Sequence, residues 1–207
     1  MARTVTRSRP SRSPRKVGGN GAKSRERAVE APERPAPSPS RAPVADKLYP
    51  TKNDLPEASR VEVIALLNQR LAEAIDLQTQ CKQAHWNVKG PAFIGLHKLF
   101  DEINEDVEEY VDLIAERVVQ VGGIAEGTVG AVEERSTLPD YPVGLSNGPE
   151  HVAALSDALA AFGRTMRIGI EEMNELEDAG SADVLTQISR GVDKWLWFVE
   201  AHQQSPS

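Results

Sequence analysis

The sequence predicts an all-α protein built as a four-helix bundle with one long crossover. Apolar residues recur at spacings of three and four along four long stretches, which is the pattern of amphipathic helices. No stretch shows the alternation of a strand. Between the second and third helical stretches lie residues 124–149, which contain glycine and proline and are long enough to cross a bundle. The chain has 207 residues, of which 40% are hydrophobic, enough for one packed domain and a tail.

The first two helices are defined by their apolar spacing and by a stop signal. The first runs from about Glu57 to Trp86, and the second from about Ile94 to Val121. Gly122 and Gly123 follow the second helix, and glycine is a usual C-terminal stop. The predicted core stripe of the first helix consists of Ile64, Leu67, Leu71, Ile75 and Gln78, and His85 extends it.

The remaining helices follow the crossover, which itself has room for a short extra helix at residues 129–136. The third helix spans about Glu150 to Glu177. The fourth begins after Ser181, a residue type that favours the N-cap, and ends near His202. We expect Trp195 and Trp197 to be packing residues of this helix.

Charge divides the chain into a basic arm and an acidic body. Residues 1–47 hold 12 Lys and Arg against 4 Asp and Glu, a net charge of +8, whereas the rest of the chain carries −15. Residues 1–50 are rich in proline, glycine and serine and are predicted to be disordered, because they cannot bury enough apolar surface to offset ordering entropy. Residues 51–207 form the predicted bundle domain. The basic residues suited to DNA phosphates include Arg3, Arg7, Arg9, Arg12, Arg15 and Lys16.

Two other interpretations of the arm stay open. It could serve only as a solubilising tail. It could also be a transit peptide, because residues 1–25 are rich in arginine and serine and contain no acidic residue. The prolines and glycines in this region weigh against the amphipathic helix of a mitochondrial version.

The single cysteine excludes two classes of structural site. Cys81 alone cannot form an intrachain disulfide or a cysteine zinc site, and its helical context predicts a small buried side chain. No apolar stretch approaches the ~20 residues that span a membrane.

Two histidines and three carboxylates are the candidate metal ligands. They are His85, His97, Asp101, Asp112 and Glu116. Imidazole and carboxylate donors suit Fe(II), although they do not exclude manganese or zinc. His97 and Asp101 share one helix face, as do Asp112 and Glu116. Asp101 and Asp112, however, lie ~16 Å apart along a straight helix, so one chain cannot bring both pairs to one ion.

A site shared by two chains solves this problem. His97 mirrors Glu116, and Asp101 mirrors Asp112, about a point between Asp106 and Val107. Two antiparallel copies of the helix across a twofold axis would therefore place each histidine–aspartate pair opposite the partner's carboxylates, giving two sites. His85 precedes the break at 90–91 and can fold back to join His97. The plain alternative is an acidic helix face exposed to solvent with structural histidines.

These residues lie in long motifs that resemble the DNA-protecting mini-ferritins, the Dps family. The resemblance covers roughly residues 55–203. Its motifs are H85-W86-N87-x-x-G90, F93-x-x-L96-H97-x-x-F100-D101, D112-x-x-A115-E116-R117 with Gly122-Gly123, and D193-K-W-L-W-F-V-E-A201. It implies a ferritin-like bundle, a ferroxidase centre formed by the five named residues of two subunits, and a hollow shell of twelve subunits.

The resemblance also implies a function. Such a protein oxidises Fe(II), typically with hydrogen peroxide, stores Fe(III) as a mineral and protects DNA from oxidative damage in the cytoplasm and nucleoid. The basic arm is expected to bind DNA without sequence preference. The alternative is a nucleoid-compacting DNA-binding protein whose metal site is incidental or structural.

Two further acidic pairs are candidates for roles in iron handling. Glu105 and Glu108 mirror each other about the same midpoint as the ligands, and could gather Fe(III) where the mineral begins. Their plain interpretation is exposure to bulk water. Asp178 and Asp183 resemble the family's acidic pore positions, with ordinary helix-end charge as the alternative.

Overall fold

The computed structural model describes residues 47–204, and they form an all-α bundle as predicted. The helices are α1 (Glu57–Asn87), α2 (Phe93–Gln120), α3 (Val129–Arg135), α4 (Gly148–Glu175) and α5 (Ala179–Glu200). Helix α1 packs along α2 and α4 along α5, with further contacts between α1 and α4 and between α2 and α5. The short α3 lies in the crossover and contacts α1. The predicted disordered arm, residues 1–50, falls almost entirely outside the described residues.

The core lies between the four long helices. Its largest fully buried side chains include Phe100, Phe162, Leu67, Leu71, Leu77, Met166 and Leu185. The predicted stripe of α1 is correct through Leu71 and then wrong, because Ile75 and Gln78 are only half-buried. Ala74, Leu77 and Cys81 take the core positions instead, and Cys81 is a buried free thiol. Trp195 packs as predicted, whereas Trp197 is 63% exposed.

A polar stripe on α1 holds the crossover against the bundle. The stripe consists of Gln69, Glu73, Asp76 and Gln80, spaced about one turn apart. Its side chains hydrogen-bond, respectively, to the carbonyl of Arg135, the hydroxyl of Thr137, the hydroxyl of Ser136 and the carbonyl of Pro139. Glu73 is fully buried and is also paired with Arg70, at 3.1 Å. These hydrogen bonds explain why the Glu73 and Asp76 carboxylates face the crossover instead of bulk water.

The end of α2 matches its predicted stop signal. Gly122 has a positive φ of 88°, a conformation that favours glycine. A Cβ at this position would lie 2.7 Å from the carbonyl oxygen of Tyr49, whose N–H donates to the Gly122 carbonyl at 2.8 Å. The glycine therefore allows residues 47–51 to cross close over the end of α2.

The predicted start of the last helix is wrong by three residues, and the predicted cap residue is also wrong. Asp178, not Ser181, is the N-cap of α5, and its side chain accepts from the Ser181 N–H at 3.0 Å. Ser181 is instead the third helical residue. At the start of α4, Asn147 plays the same role by accepting from the Glu150 N–H at 3.0 Å. Among residues 47–204, no helix is long and apolar enough to cross a membrane.

Candidate metal centre

The two predicted histidine ligands come together where α1 ends and α2 begins. Their rings stack with centroids 3.8 Å apart and planes at 21°. His85 Nδ1 lies 2.7 Å from the backbone carbonyl of His97, and His97 Nδ1 lies 2.9 Å from the backbone carbonyl of His85. The fold-back predicted for His85 is therefore present, and each histidine fixes the backbone of the other.

This reciprocal bonding determines which ring nitrogen can bind a cation. A carbonyl oxygen only accepts, so Nδ1 of each ring must carry the hydrogen. In a neutral imidazole the lone pair then lies on Nε2. Metal-binding histidines commonly donate their other ring nitrogen to a carbonyl in this way, which fixes tautomer and ring orientation. In its neutral form the pair thus offers two Nε2 donors to a cation.

Asp101 lies beside the histidines, as its spacing predicted, and already has a cationic partner. Its Oδ1 accepts a hydrogen bond from the Lys82 ammonium and lies 3.8 Å from His85 Nδ1. The Lys82 hydrogen bond lowers the pKa of Asp101, so the carboxylate is charged at neutral pH. The Asp101 side chain remains 37% exposed and is therefore accessible to an ion. Lys82 lies three residues before His85 on α1 and belongs to none of the sequence motifs that contain the ligands.

Asp112 and Glu116 lie farther along α2 and are exposed. Within residues 47–204 of one chain, no three His, Cys, Asp or Glu side chains converge on a point that could hold a metal ion. One chain therefore presents the ligands as two separate groups, one where α1 meets α2 and the other farther along α2. This is the arrangement that a two-chain site requires.

The mirror pair Glu105 and Glu108 is exposed between those two groups. Both side chains lie on the same face of α2 as the ligands, one turn or less from Asp101 and Asp112. Their exposure fits both interpretations given above, solvation and ion gathering.

The predicted pore residues have very different surroundings. Asp178 is 3% exposed, and its Oδ1 accepts from Arg117 Nη2 at 2.7 Å. Arg117 also donates through Nε to the Ser181 hydroxyl at 2.9 Å. Because Arg117 follows Glu116 directly, this bond connects the α2 segment that carries Glu116 to the start of α5. Asp183, by contrast, is exposed and is the fifth residue of α5, beyond the first turn in which it was predicted to lie. Within one chain Asp178 caps the helix and pairs with Arg117, and the pore role stays a prediction.

Known proteins are similar to this chain over most of its described bundle. A family model described as a ferritin-like domain matches residues 64–205. The DNA protection during starvation protein of Agrobacterium fabrum is 43% identical over 161 residues, which cover 78% of this chain and 99% of that protein. Its counterpart in Mycolicibacterium smegmatis is 37% identical and covers 70% of this chain and 78% of that protein.

Solved structures of related proteins have a similar fold. DpsA14 from Streptomyces coelicolor matches with a TM-score of 0.72 at 32% identity, covering 77% of this chain and 95% of that one. Mycobacterium smegmatis Dps matches with a TM-score of 0.72 at 34% identity, covering 77% and 89%.

Replacing the buried cap residue should destabilise the protein strongly. Asp178→Ala removes the α5 cap and leaves the Arg117 guanidinium without its carboxylate, and breaking a buried pair costs about 3–5 kcal/mol. Asp178→Asn keeps an oxygen for the Ser181 N–H and should lose less. Thermal unfolding followed by circular dichroism measures both. The matched control is Asp183→Ala, an exposed change near the start of the same helix that should cost under about 0.5 kcal/mol. Equal losses for both alanine variants would contradict the assigned network.

Proposed function

The chain belongs to the Dps family of ferritin-like proteins, and from this premise we propose that it is a ferroxidase and iron-storage protein. It would oxidise Fe(II), with hydrogen peroxide as the electron acceptor, and mineralise Fe(III) inside a hollow shell. The observation that carries the proposal is the reciprocal histidine pair beside Asp101. Its fixed Nδ1–H tautomers leave two Nε2 lone pairs directed away from the backbone.

The proposed site is shared between two subunits. His85, His97 and Asp101 of one subunit would bind Fe(II) together with Asp112 and Glu116 of its partner, across a twofold axis at the middle of α2. The neutral imidazoles would bind Fe(II) without changing the net charge of the site, and the carboxylates would stabilise the more highly charged Fe(III) product. Two Fe(II) and one hydrogen peroxide would give two Fe(III) and two hydroxide ions.

Lys82 has a definable part in this scheme. Its ammonium holds the Asp101 carboxylate in the chain alone. An incoming cation would compete with the ammonium for that carboxylate, so Lys82 would keep the site charge-balanced until iron arrives. Asp183, exposed at the α4–α5 junction, is the candidate that could draw cations toward the shell.

The assembly we propose is a shell of twelve subunits built from twofold dimers. A dimer alone supplies complete oxidation sites, but it encloses no space for a mineral. The alternative ions, manganese and zinc, are distinguished by anaerobic Fe(II) titration followed by peroxide, because only an oxidisable ion consumes the oxidant.

A second candidate function is DNA binding through the basic arm. The net charge of +8 on residues 1–47 favours it, because phosphate neutralisation releases counterions. The matched relatives in Agrobacterium fabrum and Mycolicibacterium smegmatis carry the name DNA protection during starvation protein. Many arms on one particle would strengthen weak contacts by avidity. If the metal site is incidental, compaction of DNA in the nucleoid would be the main function of the protein.

Mixing two inactive variants tests the shared site. His97→Ala and Glu116→Ala alone should each lose rapid Fe(II) oxidation by peroxide. In a mixed dimer both lesions fall in one site, so about half the activity should return. Stopped-flow absorbance of Fe(III) on mixtures verified by mass spectrometry is the measurement. The control mixes His97→Ala with Asp101→Ala, which damages both sites and should restore nothing. Equal recovery in the two mixtures would rule out the antiparallel geometry.

Deleting the arm tests DNA binding. Removal of residues 1–47 should abolish DNA retardation and leave iron oxidation unchanged, because the remaining chain carries a net charge of −15. Binding by the full chain should weaken steeply as salt rises. Electrophoretic mobility shifts over a salt series measure this. If the truncated chain retards DNA as well as the full chain does, the arm is not the binding element.

Neutralising the mirror glutamates tests the proposed nucleation role. Glu105→Gln with Glu108→Gln should leave the first Fe(II) oxidation intact and delay growth of the mineral, followed by the absorbance of Fe(III) after repeated iron additions. The doubly changed dimer should also gain stability at neutral pH, because four clustered carboxylates repel one another. Glu102→Gln with Glu109→Gln, exposed on α2 just outside the ligand stripe, is the control. Normal mineral growth in the first variant would remove the role.

A further inference from the structure

A buried histidine at the start of α4 is not among the candidate ligands. His151 is the fourth residue of α4 and is 1% exposed. Its Nδ1 lies 2.5 Å from the hydroxyl of Tyr141 in the crossover, and the two rings are stacked with centroids 6.1 Å apart. The carbonyls of Asn87 and Leu145 lie close to the ring, while Nε2 has no hydrogen-bond partner among residues 47–204. The ring therefore lies where the end of α1, the crossover and the start of α4 meet.

The residues just before α4 hold the chain just after α1. The N–H of Lys89 donates to the carbonyl of Ser146 at 2.8 Å, and Lys89 pairs with Asn147 as an isolated parallel bridge. His85 lies four residues before Lys89, in the last turn of α1. The position of this ligand candidate is therefore tied to the start of α4.

The first residue of α4 also contacts the segment that carries the second histidine. A Cβ on Gly148 would lie 2.7 Å from Cδ1 of Leu96. The glycine lets α4 approach Leu96 this closely, and His97 is the next residue on α2. Both segments that carry the His85–His97 pair therefore rest on residues 146–148.

Burial sets the charge state of His151. It lowers the pKa of the ring below its ordinary value of 6.5, so the ring is neutral at neutral pH. The carbonyls of Asn87 and Leu145 and the carboxylate of Glu150 act in the opposite direction, but they do not cancel the effect of burial. A neutral ring with its hydrogen on Nε2 offers Nδ1 as the acceptor for the Tyr141 hydroxyl.

The titratable groups beside the ring on the crossover and on α1 stay uncharged near neutral pH. Burial raises the pKa of Tyr141, so its hydroxyl keeps its proton and is available as the donor. Cys81 of α1, which acts on Tyr141, has its pKa raised by burial to about 12 and remains a thiol. Among these three side chains, His151 is thus the one that changes charge between about pH 5 and 8.

We propose that His151 is a positioning residue for the candidate metal centre. Its neutral ring accepts from Tyr141 and keeps the start of α4 against the two segments that carry His85 and His97. Protonation places a charge in a buried site and turns Nδ1 into a second donor facing the phenol, so the contact opens and both ligand segments loosen. This role rests on the proposed ferroxidase function, since it describes how the ligands of that function are held.

The direction of the pH effect follows from the lowered pKa of His151. Because the folded chain binds this proton less tightly than the unfolded chain does, the stabilisation is present at neutral pH. It is lost as the pH falls from 6.5 toward the lower pKa of the folded chain. His85 and His97 do not produce the same loss, because their protonation adds a hydrogen at Nε2 and leaves both Nδ1–H bonds to the backbone in place.

Hydrogen–deuterium exchange of the iron-free full chain tests the positioning. Mass spectrometry measures exchange at about pH 7.5 and about pH 5, on either side of the histidine titration, with correction for the intrinsic change in rate. In the unaltered chain, peptides covering residues 85–97 should exchange faster at the lower pH. His151→Asn keeps an acceptor near the position of Nδ1 and cannot take up a proton, so it should show the slow exchange at both values. Equal acceleration in both proteins, or none in the unaltered chain, would overturn the proposal.

Two further variants separate positioning from folding. Tyr141→Phe removes the donor and should raise exchange in residues 85–97 already at neutral pH, while the middle of α5 keeps its normal exchange. His202→Asn changes an exposed histidine just after α5 and is the matched control, which should behave as the unaltered chain does. Normal protection of residues 85–97 in Tyr141→Phe at neutral pH would contradict the role of the pair, whether or not His151→Asn folds.

Anaerobic binding of Co(II), followed by its visible absorption, connects the positioning to the metal centre. Affinity should fall at low pH in every variant, because protons compete for Nε2 of the ligand histidines. The unaltered chain should lose affinity more steeply than His151→Asn, by up to about tenfold more per pH unit, the limit for one additional linked proton. If the unaltered chain binds no Co(II), the proposed metal centre fails, and the exchange experiment still decides the positioning. Normal binding with equal pH slopes in both proteins overturns the positioning alone.

Discussion

The reciprocal hydrogen bonds between His85 and His97 are the interaction on which the candidate site depends. Each ring donates to the backbone of the other residue, so the end of α1 and the start of α2 are joined by the side chains that would bind the ion. The bonds fix both tautomers and leave Nε2 as the only lone-pair nitrogen of each ring. They also set the register of α1 on α2, which places Lys82 against Asp101. The same two hydrogen bonds therefore determine both the geometry of the ligand candidates and the packing of α1 on α2.

The sequence predicted what local spacing determines. Helix periods, the glycine stop of α2 and the convergence of His85 with His97 were confirmed because each depends on residues within a few turns or on one short connection. The α5 cap was wrong, because Asp178 and Ser181 are both good cap residues and local pattern does not choose between them. The choice is made by Arg117, 61 residues away, which holds the Asp178 carboxylate. Lys82 was missed for the same reason, since its partner belongs to another helix.

The length of α2 between the two ligand pairs is the reason for the two-chain hypothesis. Along α2, His97 and Glu116 are ~28 Å apart at 1.5 Å per residue, and no bending of one helix removes that separation. The exposed positions of Asp112 and Glu116 leave both carboxylates available to another molecule. The mirror spacing satisfies the symmetry of an isologous contact, in which any residue placed at one distance from the axis recurs at the same distance beyond it. The same twofold axis places a second copy of each nearby charge close to the first. Glu105 and Glu108 of the two chains would therefore repel one another unless solvent or cations lie between them.

The polar stripe of α1 links the crossover to the chemistry of the site. A loop of this length would ordinarily be mobile, yet residues 135–139 are bound by four side chains of α1, those of Gln69, Glu73, Asp76 and Gln80. The last of these contacts fixes Pro139, two residues before Tyr141, and the pair with His151 fixes Tyr141 itself. One helix therefore carries a metal-ligand candidate at its end and, along its flank, the side chains that anchor the crossover.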